Sequence, residues 1–377
     1  MQLQRIVQVI LIVAGYFLIE NETVTAIEAS HVVLVSIDGL RPDAIDKERT
    51  PTIVDLIDHS AFTLEAQSHA PTLTIPNHVS MLTGMTPSVH GITDSPREFT
   101  IDTVADSIKI AGMTVGLYLS KDKLSFLTKH DKYDRNSVTE TGVSDETVNA
   151  FVADFSSVST RWSFSMIHLI EADFSGHRYG WMSASYLSAV KACDMHLARI
   201  IKAIQDAQVA DSTVIIVTAD HGGINFAHDS TVPEVTNVPW IIVGPGIRNG
   251  WINATVQVVD TAATVLAAFG LPVSANLEGQ VPLDVITPPF VRGDVDGDLN
   301  HSITDGIALL NYLFRMQQVN CLEASDVDSN GVINITDAIY ILNLLFRGGS
   351  FPMAPYPDCA AVKPVAGGCL KTACNAL

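Results

Sequence analysis

HVVLVSIDGL, residues 31–40, runs from a string of aliphatic and β-branched residues straight into Asp38-Gly39. The run is apolar on both faces, the pattern of a central strand covered on two sides rather than a half-solvated edge. Working outward, TVGLYL (114–119), FSMIHLI (164–170), STVIIVT (212–218) and VPWIIVG (238–244) have the same character. All five are expected to be parallel strands of one sheet. Helical patterns lie between them, at 103–111 and at 184–207, the second with Leu187, Val190, Leu197, Ile200 and Ile204 at helical spacing. This alternation predicts an α/β fold, an open α/β/α sandwich over residues 31–285.

In open parallel sheets ligands bind just beyond the C-terminal ends of the strands. Three of the strands release an aspartate there: Asp38 after the first, Asp173 with His177 after FSMIHLIEA, and Asp220-His221-Gly222-Gly223 after STVIIVTA. One such Asp is commonly a helix cap or a turn residue. Three of them, two with a histidine one or four residues on, form a set of oxygen and nitrogen donors for zinc or a similar divalent ion. Buried carboxylates meeting at one edge would repel unless cations neutralised them. Between the first two strands lies PTLTIPNHVSMLTGMTPSVHGI (71–92). Its Thr74 stands where a helix is expected to begin, and a hydroxyl at a helix N-terminus facing a metal can act as a nucleophile.

The composition supports this reading. The chain has 377 residues, 47% of them hydrophobic and 17% charged, enough apolar surface for a large core and too much for a disordered chain. The formal net charge of −19 argues against nucleic acid as the main partner and suits cation binding. Most of that excess lies in residues 1–290, which carry 32 acidic and 17 basic residues.

Arg5 followed by the apolar run 6–19, with Val24-Thr25-Ala26 after it, reads as a signal peptide, residues 1–26. No other stretch is long and apolar enough to span a bilayer, so no membrane anchor is expected after cleavage, and the protein is expected to be secreted or extracytoplasmic. Export makes Cys321, Cys359, Cys369 and Cys374 disulfide formers, with three pairings open. Cys193 stands alone in a helical stretch and is expected to be buried.

The C-terminal part is a repeat. Residues 293–314 align without gaps on 325–346, identical at 11 of 22 positions, with a period of 32. Each copy has acidic residues at the spacing of a calcium loop, followed by an amphipathic helix. Positions 1, 3, 5 and 12 are Asp294, Asp296, Asp298 and Asp305 in one copy and Asp326, Asp328, Asn330 and Asp337 in the other. Gly331 fills the sharp-turn position of the second loop, and Leu299 fills it in the first, so a weaker first site is expected. The resulting division is 31–285, a linker at 286–292, a repeat domain at 293–350 and a cysteine-containing tail at 351–377.

VVLVSIDGLRPDAI (32–45), PTLTIPNHVSMLTGMTPSVHGI (71–92), DFSGHRYG (173–180) and TADHGG (218–223) occur in the order of a known family. On them the chain resembles the type I phosphodiesterase / nucleotide pyrophosphatase branch of the alkaline phosphatase superfamily. The resemblance implies two zinc ions, one surrounded by Asp38, Thr74, Asp220 and His221, the other by Asp173, His177 and a third histidine. His228 is taken as that third ligand, since His301 falls in the repeat. The resemblance also implies a Thr74 nucleophile attacking phosphate esters. Ser95 stands where relatives generally place an oxyanion-binding asparagine, and Lys121 of Lys121-Asp122-Lys123 looks like the phosphate-binding lysine of related monoesterases. Related sulfatases need Cys or Ser followed by Pro and Arg, which Thr74-Ile75-Pro76-Asn77-His78 lacks.

The implied function is an exported metal-dependent hydrolase of phosphoric esters. A phosphomonoesterase or headgroup phosphotransferase is the alternative, and a non-catalytic docking protein a third. The repeat resembles type I dockerins, small all-α calcium-loop modules. That implies Ca²⁺ and a cohesin-type partner bound through the helices around Ile307–Phe314 and Ile339–Phe346.

Overall fold

The computed structural model describes residues 29–94, 101–129, 132–139, 141–252, 254–282, 285–286, 290–357, 359, 369 and 374. The expected signal peptide and Ser95 lie outside the described residues, as does most of 358–377.

Eight strands form one sheet among the described residues: β1 (His31–Ile37), β2 (Ala61–Gln67), β3 (Val115–Leu119), β4 (Arg135–Val138), β5 (Phe164–Leu169), β6 (Thr213–Thr218), β7 (Asn237–Val243) and β8 (Gly250–Trp251). Their order is β4-β3-β5-β1-β6-β7-β2-β8. β4, β3, β5, β1 and β6 are mutually parallel. β1 sits in the middle of this block, with Val32–Val35 and Ile37 fully buried.

The stretch VPWIIVG was expected to be parallel, and the structure corrects this: β7 runs antiparallel to both β6 and β2. Two-sided burial looks the same in either direction, so composition carries no sign of it. The connection does. Between β6 and β7 the only helix is the four-residue Pro233–Thr236, too little for the crossover that a parallel return requires. β2, β4 and β8 were not foreseen. β2 alternates buried and partly exposed residues, and β8 has two residues.

The longer helices are α1 (Pro51–Asp58), α2 (Thr74–Thr83), α3 (Val104–Ile110), α4 (Asp145–Phe155), α5 (Glu171–Tyr179), α6 (Ala184–Asp206), α7 (Asp260–Ala268), α8 (Ile303–Arg315) and α9 (Ile335–Arg347). α1, α4 and α5 pack on α6, while α2 and α3 pack on α7. Two helix sets on a mixed sheet give an α/β fold. Ser183 caps the N-terminus of α6, its side chain accepting from the Tyr186 N–H, and Asp194 in the middle of α6 accepts from the Thr52 and Ile53 N–H groups at the start of α1. Cys193 is buried on the same helix.

α8 and α9 pack on each other around Val295, Leu309, Val327, Ala338 and Ile341, a core separate from the large one. Each helix opens with a capping box, Ser302 with Asp305 and Asn334 with Asp337. Ile286 pairs with Ile247 beside the large domain, while Phe290 packs with Cys321 and Ala324. The disulfides are Cys321–Cys369 and Cys359–Cys374.

Candidate metal centre and nucleophile

β5, β1 and β6 are neighbours in the sheet, so the aspartates that follow them arrive side by side. Gly39 makes this possible. Its φ of +73° turns the chain, and a Cβ there would lie 3.0 Å from Asp173 Cα. Its N–H donates to Asp220 Oδ1 at 3.2 Å. The Asp-Gly pair of the first strand thus reflects the close approach of its backbone to that of Asp173, with the Asp220 carboxylate bonded alongside.

Two donor clusters form. In one, His221 Nε2 lies 3.5 Å from Asp38 Oδ1 and 3.2 Å from Asp220 Oδ2. In the other, His177 Nε2 lies 3.3 Å from Asp173 Oδ1 and 3.1 Å from His228 Nε2. His221 and His228 stack with centroids 3.7 Å apart, which joins the clusters. Asp173, His221 and His228 also bring their ligand atoms within 4.8 Å of one another.

The three rings are oriented alike. Nδ1 of His177 donates to Phe226 O (3.0 Å), that of His221 to Gly222 O (2.8 Å) and that of His228 to Thr72 O (2.6 Å). A carbonyl only accepts, so Nδ1 holds the proton and Nε2 presents a lone pair. Asp38 Oδ1, Asp173 Oδ1, Asp220 Oδ2 and His221 Nε2 are buried and find no hydrogen-bond partner. Four inward-facing acceptors with no donor are what cations would satisfy. The oxygen and nitrogen donor set fits zinc-like divalent ions.

One ammonium enters the site. Lys121 Nζ lies 2.7 Å from Asp38 Oδ2, 2.6 Å from Asp173 Oδ2 and 3.1 Å from Thr74 Oγ1. Burial opposes its charge, but Asp38 and then Asp173 hold its pKa well above the ordinary lysine value. Burial likewise opposes ionisation of Asp38, and Lys121 and His168 hold its carboxyl well below the usual range. Asp220 goes the other way, pushed well up by burial and then by repulsion from Asp38. Burial lowers His228 to about 4, with His221 adding to it. Three carboxylates therefore crowd one site, two of them bonded to Lys121, beside His221 and His228, which burial lowers, while the bond to Asp173 raises His177.

Thr74 is the first residue of α2, and all ten residues of that helix are buried. Asn77 secures the turn before it, accepting from the His69 N–H at 2.9 Å and donating to His69 O at 3.0 Å. His78 Nδ1 donates to Thr74 O at 2.7 Å, and its Nε2 lies 2.9 Å from Ser36 Oγ. Burial drops His78 to about 3, keeping it neutral.

Asp38, Thr74, Lys121, Asp173, His177, Asp220, His221 and His228 are thus all brought together. His301 instead contacts Arg292 O in the C-terminal part. There, Asp294, Asp296 and Asp298 converge, as do Asp326, Asp328 and Asp337. Asn330 lies within its loop, its amide donating to Asp328 Oδ2 at 2.9 Å. Asp305 and Asp337 also accept backbone N–H groups, from Val295 and Val327. Leu299 takes the left-handed conformation, φ +63°, that Gly331 takes in the other loop, so the first turn forms despite its side chain. The sequence marks His78 without giving it a role and does not mark His168. The only signal for His168 is a basic residue inside FSMIHLI, a run otherwise apolar but for Ser165.

The profile of the type I phosphodiesterase / nucleotide pyrophosphatase family matches residues 32–101 and 110–238, more than half of the chain. The chain belongs to this family. Human GPI ethanolamine phosphate transferase 2, catalytic subunit, is 26% identical over 279 residues, covering 68% of this chain and 28% of the relative. The bis(5'-adenosyl)-triphosphatase of Xenopus laevis is 25% identical over 235 residues, 56% of this chain and 51% of the relative. Murine ectonucleotide pyrophosphatase/phosphodiesterase 5, in an inactive form complexed with AMP, superposes with a TM-score of 0.58 at 15% identity, over 66% of this chain and 97% of that chain. At that identity the likeness is one of fold. The chain spans only part of the length of these curated relatives. Enzymes of the superfamily use divalent metals and act on phosphate esters.

Proposed function

We propose that this family member is an exported hydrolase of phosphoric esters, of the phosphodiesterase / nucleotide pyrophosphatase type, with Thr74 as nucleophile. The observation that carries this is Thr74 Oγ1 at the start of α2, 3.1 Å from Lys121 Nζ and flanked by the two donor clusters. Asp38, Asp220 and His221 would hold one divalent cation, and Asp173, His177 and His228 the other. When bound, such a pair supplies Lewis-acid stabilisation of charge on the attacking and leaving oxygens.

The chain's own groups do the rest. Lys121 donates to Thr74 Oγ1 and favours its alkoxide form as the proton departs. The Thr74 proton passes to solvent, Oγ1 attacks phosphorus, and as the Oγ1–P bond forms the bond from phosphorus to the in-line ester oxygen breaks, that oxygen leaving as the alcohol after taking a proton from solvent. Water then attacks this phosphothreonine ester from the vacated side, the P–Oγ1 bond breaks, and the phosphate monoester leaves as Thr74 regains its proton. If an acceptor alcohol takes the place of water, the outcome is phosphotransfer. The alignment with the human transferase, which covers more of this chain than that with the triphosphatase, favours this as the second reading.

The test is a side-by-side assay of aryl phosphate monoester, diester and sulfate, with metal analysis on the same sample. The diester should turn over fastest, and Thr74→Ala should lower turnover by about 10³-fold or more. Full activity in that variant, or equal turnover of the sulfate, would refute the reading.

For the C-terminal part we propose a dockerin-like role, with calcium in both loops and a cohesin-type partner. The convergent aspartates and the repeat support calcium. Ile303, Ile307 and Phe314 on α8 and their counterparts Ile335, Ile339 and Phe346 on α9 are all about half exposed or more, which supports docking through the helices. Export rests on the residues 1–26 pattern. Among the described residues no helix is long and apolar enough to cross a membrane.

A further inference from the structure

Asp38 uses its two oxygens differently. Oδ2 lies 3.0 Å from His168 Nε2 and 2.7 Å from Lys121 Nζ. Oδ1 has no hydrogen-bond partner and faces His221 Nε2 at 3.5 Å. Lys121 does not determine which oxygen goes where, because an ammonium is a point charge on a flexible stem. His168 can. It is fully buried on β5, paired in register with Ser36 of β1, two residues before Asp38.

Its ring is itself held. Asp38 only accepts, so Nε2 carries the proton and Nδ1 accepts. Nδ1 lies 3.0 Å from Ser120 Oγ, whose one hydrogen lies between Nδ1 and His168 O, the latter 2.7 Å from that Oγ. Ser144 Oγ lies 3.3 Å from Ser120 Oγ and donates to Glu171 Oε2 at 2.7 Å. Glu171 Oε1 accepts the Ser144 N–H at 2.6 Å and contacts His196 Nε2 at 3.0 Å. A buried polar chain thus runs from the α5–α6 packing to Asp38, through residues that are not ligands in either cluster. A strand buried on both faces gains nothing from a buried imidazole unless it has such a partner.

We infer that His168 is a positioning residue: its Nε2–H holds Asp38 Oδ2 so that Oδ1 is the atom offered to a cation. The inference rests on the two-cation reading above. Groups that orient ligands in this way typically contribute 10–100-fold to metal affinity.

The experiment is calorimetric titration of metal-stripped full-length protein with zinc alone, with melting temperature recorded for each variant. Wild type should bind two zinc ions. His168→Leu should weaken one site by about 10–100-fold and leave the other unchanged. His168→Gln, whose amide can donate from a similar place, should recover much of the loss. Ser120→Ala, which keeps the imidazole but frees its far side, should weaken the same site less and covers the case in which His168→Leu fails to fold. Unchanged zinc affinity in His168→Leu, or equal losses in the Leu and Gln variants, would overturn the inference. Wild type without zinc affinity would instead refute the two-cation reading beneath it.

Discussion

Lys121 Nζ lies 3.1 Å from Thr74 Oγ1 across 47 residues of chain, and the same ammonium bonds Asp38 and Asp173. It is positioned to stabilise charge on the nucleophile and on the phosphoryl group. Replacing it with methionine keeps the apolar stem and removes the donors. Lys121→Met should lower kcat on an aryl phosphate diester by about 100-fold or more. A kcat within a few-fold of wild type would mean that Lys121 serves only to balance the carboxylates.

Gly39 bears on the site through sterics. Alanine there must keep φ +73° and place a Cβ 3.0 Å from Asp173 Cα. Gly39→Ala should cost about 2 kcal/mol or more, through left-handed strain and overpacking between β1 and α5. Thermal unfolding measures the cost. The same variant should lose affinity for zinc, because Asp38 and Asp173 move apart. An unchanged melting temperature would contradict the close approach.

The first acidic loop makes a pH prediction. Burial raises Asp305 from 3.8 to about 6, against the opposing effect of its backbone N–H bonds. Asp294 and Asp326 shift in the same direction, again with burial first. The calcium-free folded module therefore holds protons that the unfolded chain has released. Its stability should fall as pH rises from about 4 to about 6 and stay low above that. Calcium should reverse this at pH 7 by supplying the charge the carboxylates lack. Calorimetry of the full chain in chelator, following the transition that calcium shifts, checks this. A transition equally stable at pH 5 and pH 7 without calcium would refute it.

Leu299 holds a left-handed backbone, φ +63°, where the sister loop has Gly331. Left-handed leucine costs about 1–2 kcal/mol, part of which glycine loses again through unfolded-chain entropy. Leu299→Gly should therefore stabilise the module by up to about 1 kcal/mol and tighten calcium at the first loop. Calcium titration and melting temperature both report on it, and weaker calcium binding would show that the leucine side chain supports the loop.

Much of the site was legible because it is local. Asp38, Asp173 and Asp220 each follow an apolar strand, and His177 and His221 sit one helical turn or one residue away. His228 required a choice between two histidines, and its carbonyl-fixed ring facing Asp173 is a fact of folding. His168 could not be read as functional: on sequence it is a polar residue in a buried strand, and its meaning comes from Asp38 on the neighbouring strand. The direction of β7 was equally hidden, since its burial pattern is the same parallel or antiparallel.

By itself the sequence determined which runs are buried strands, which aspartates and histidines follow them, and that the acidic loops are duplicated. These are properties of periodicity and spacing, set within a few residues of each position. Only the tertiary structure decided strand order, the convergence of three carboxylates at one sheet edge with Lys121 bonding two of them, which oxygen of Asp38 stays free, and the pairing of the four cysteines. Those depend on contacts between residues far apart in the chain, which exist only once the core has packed and brought them together.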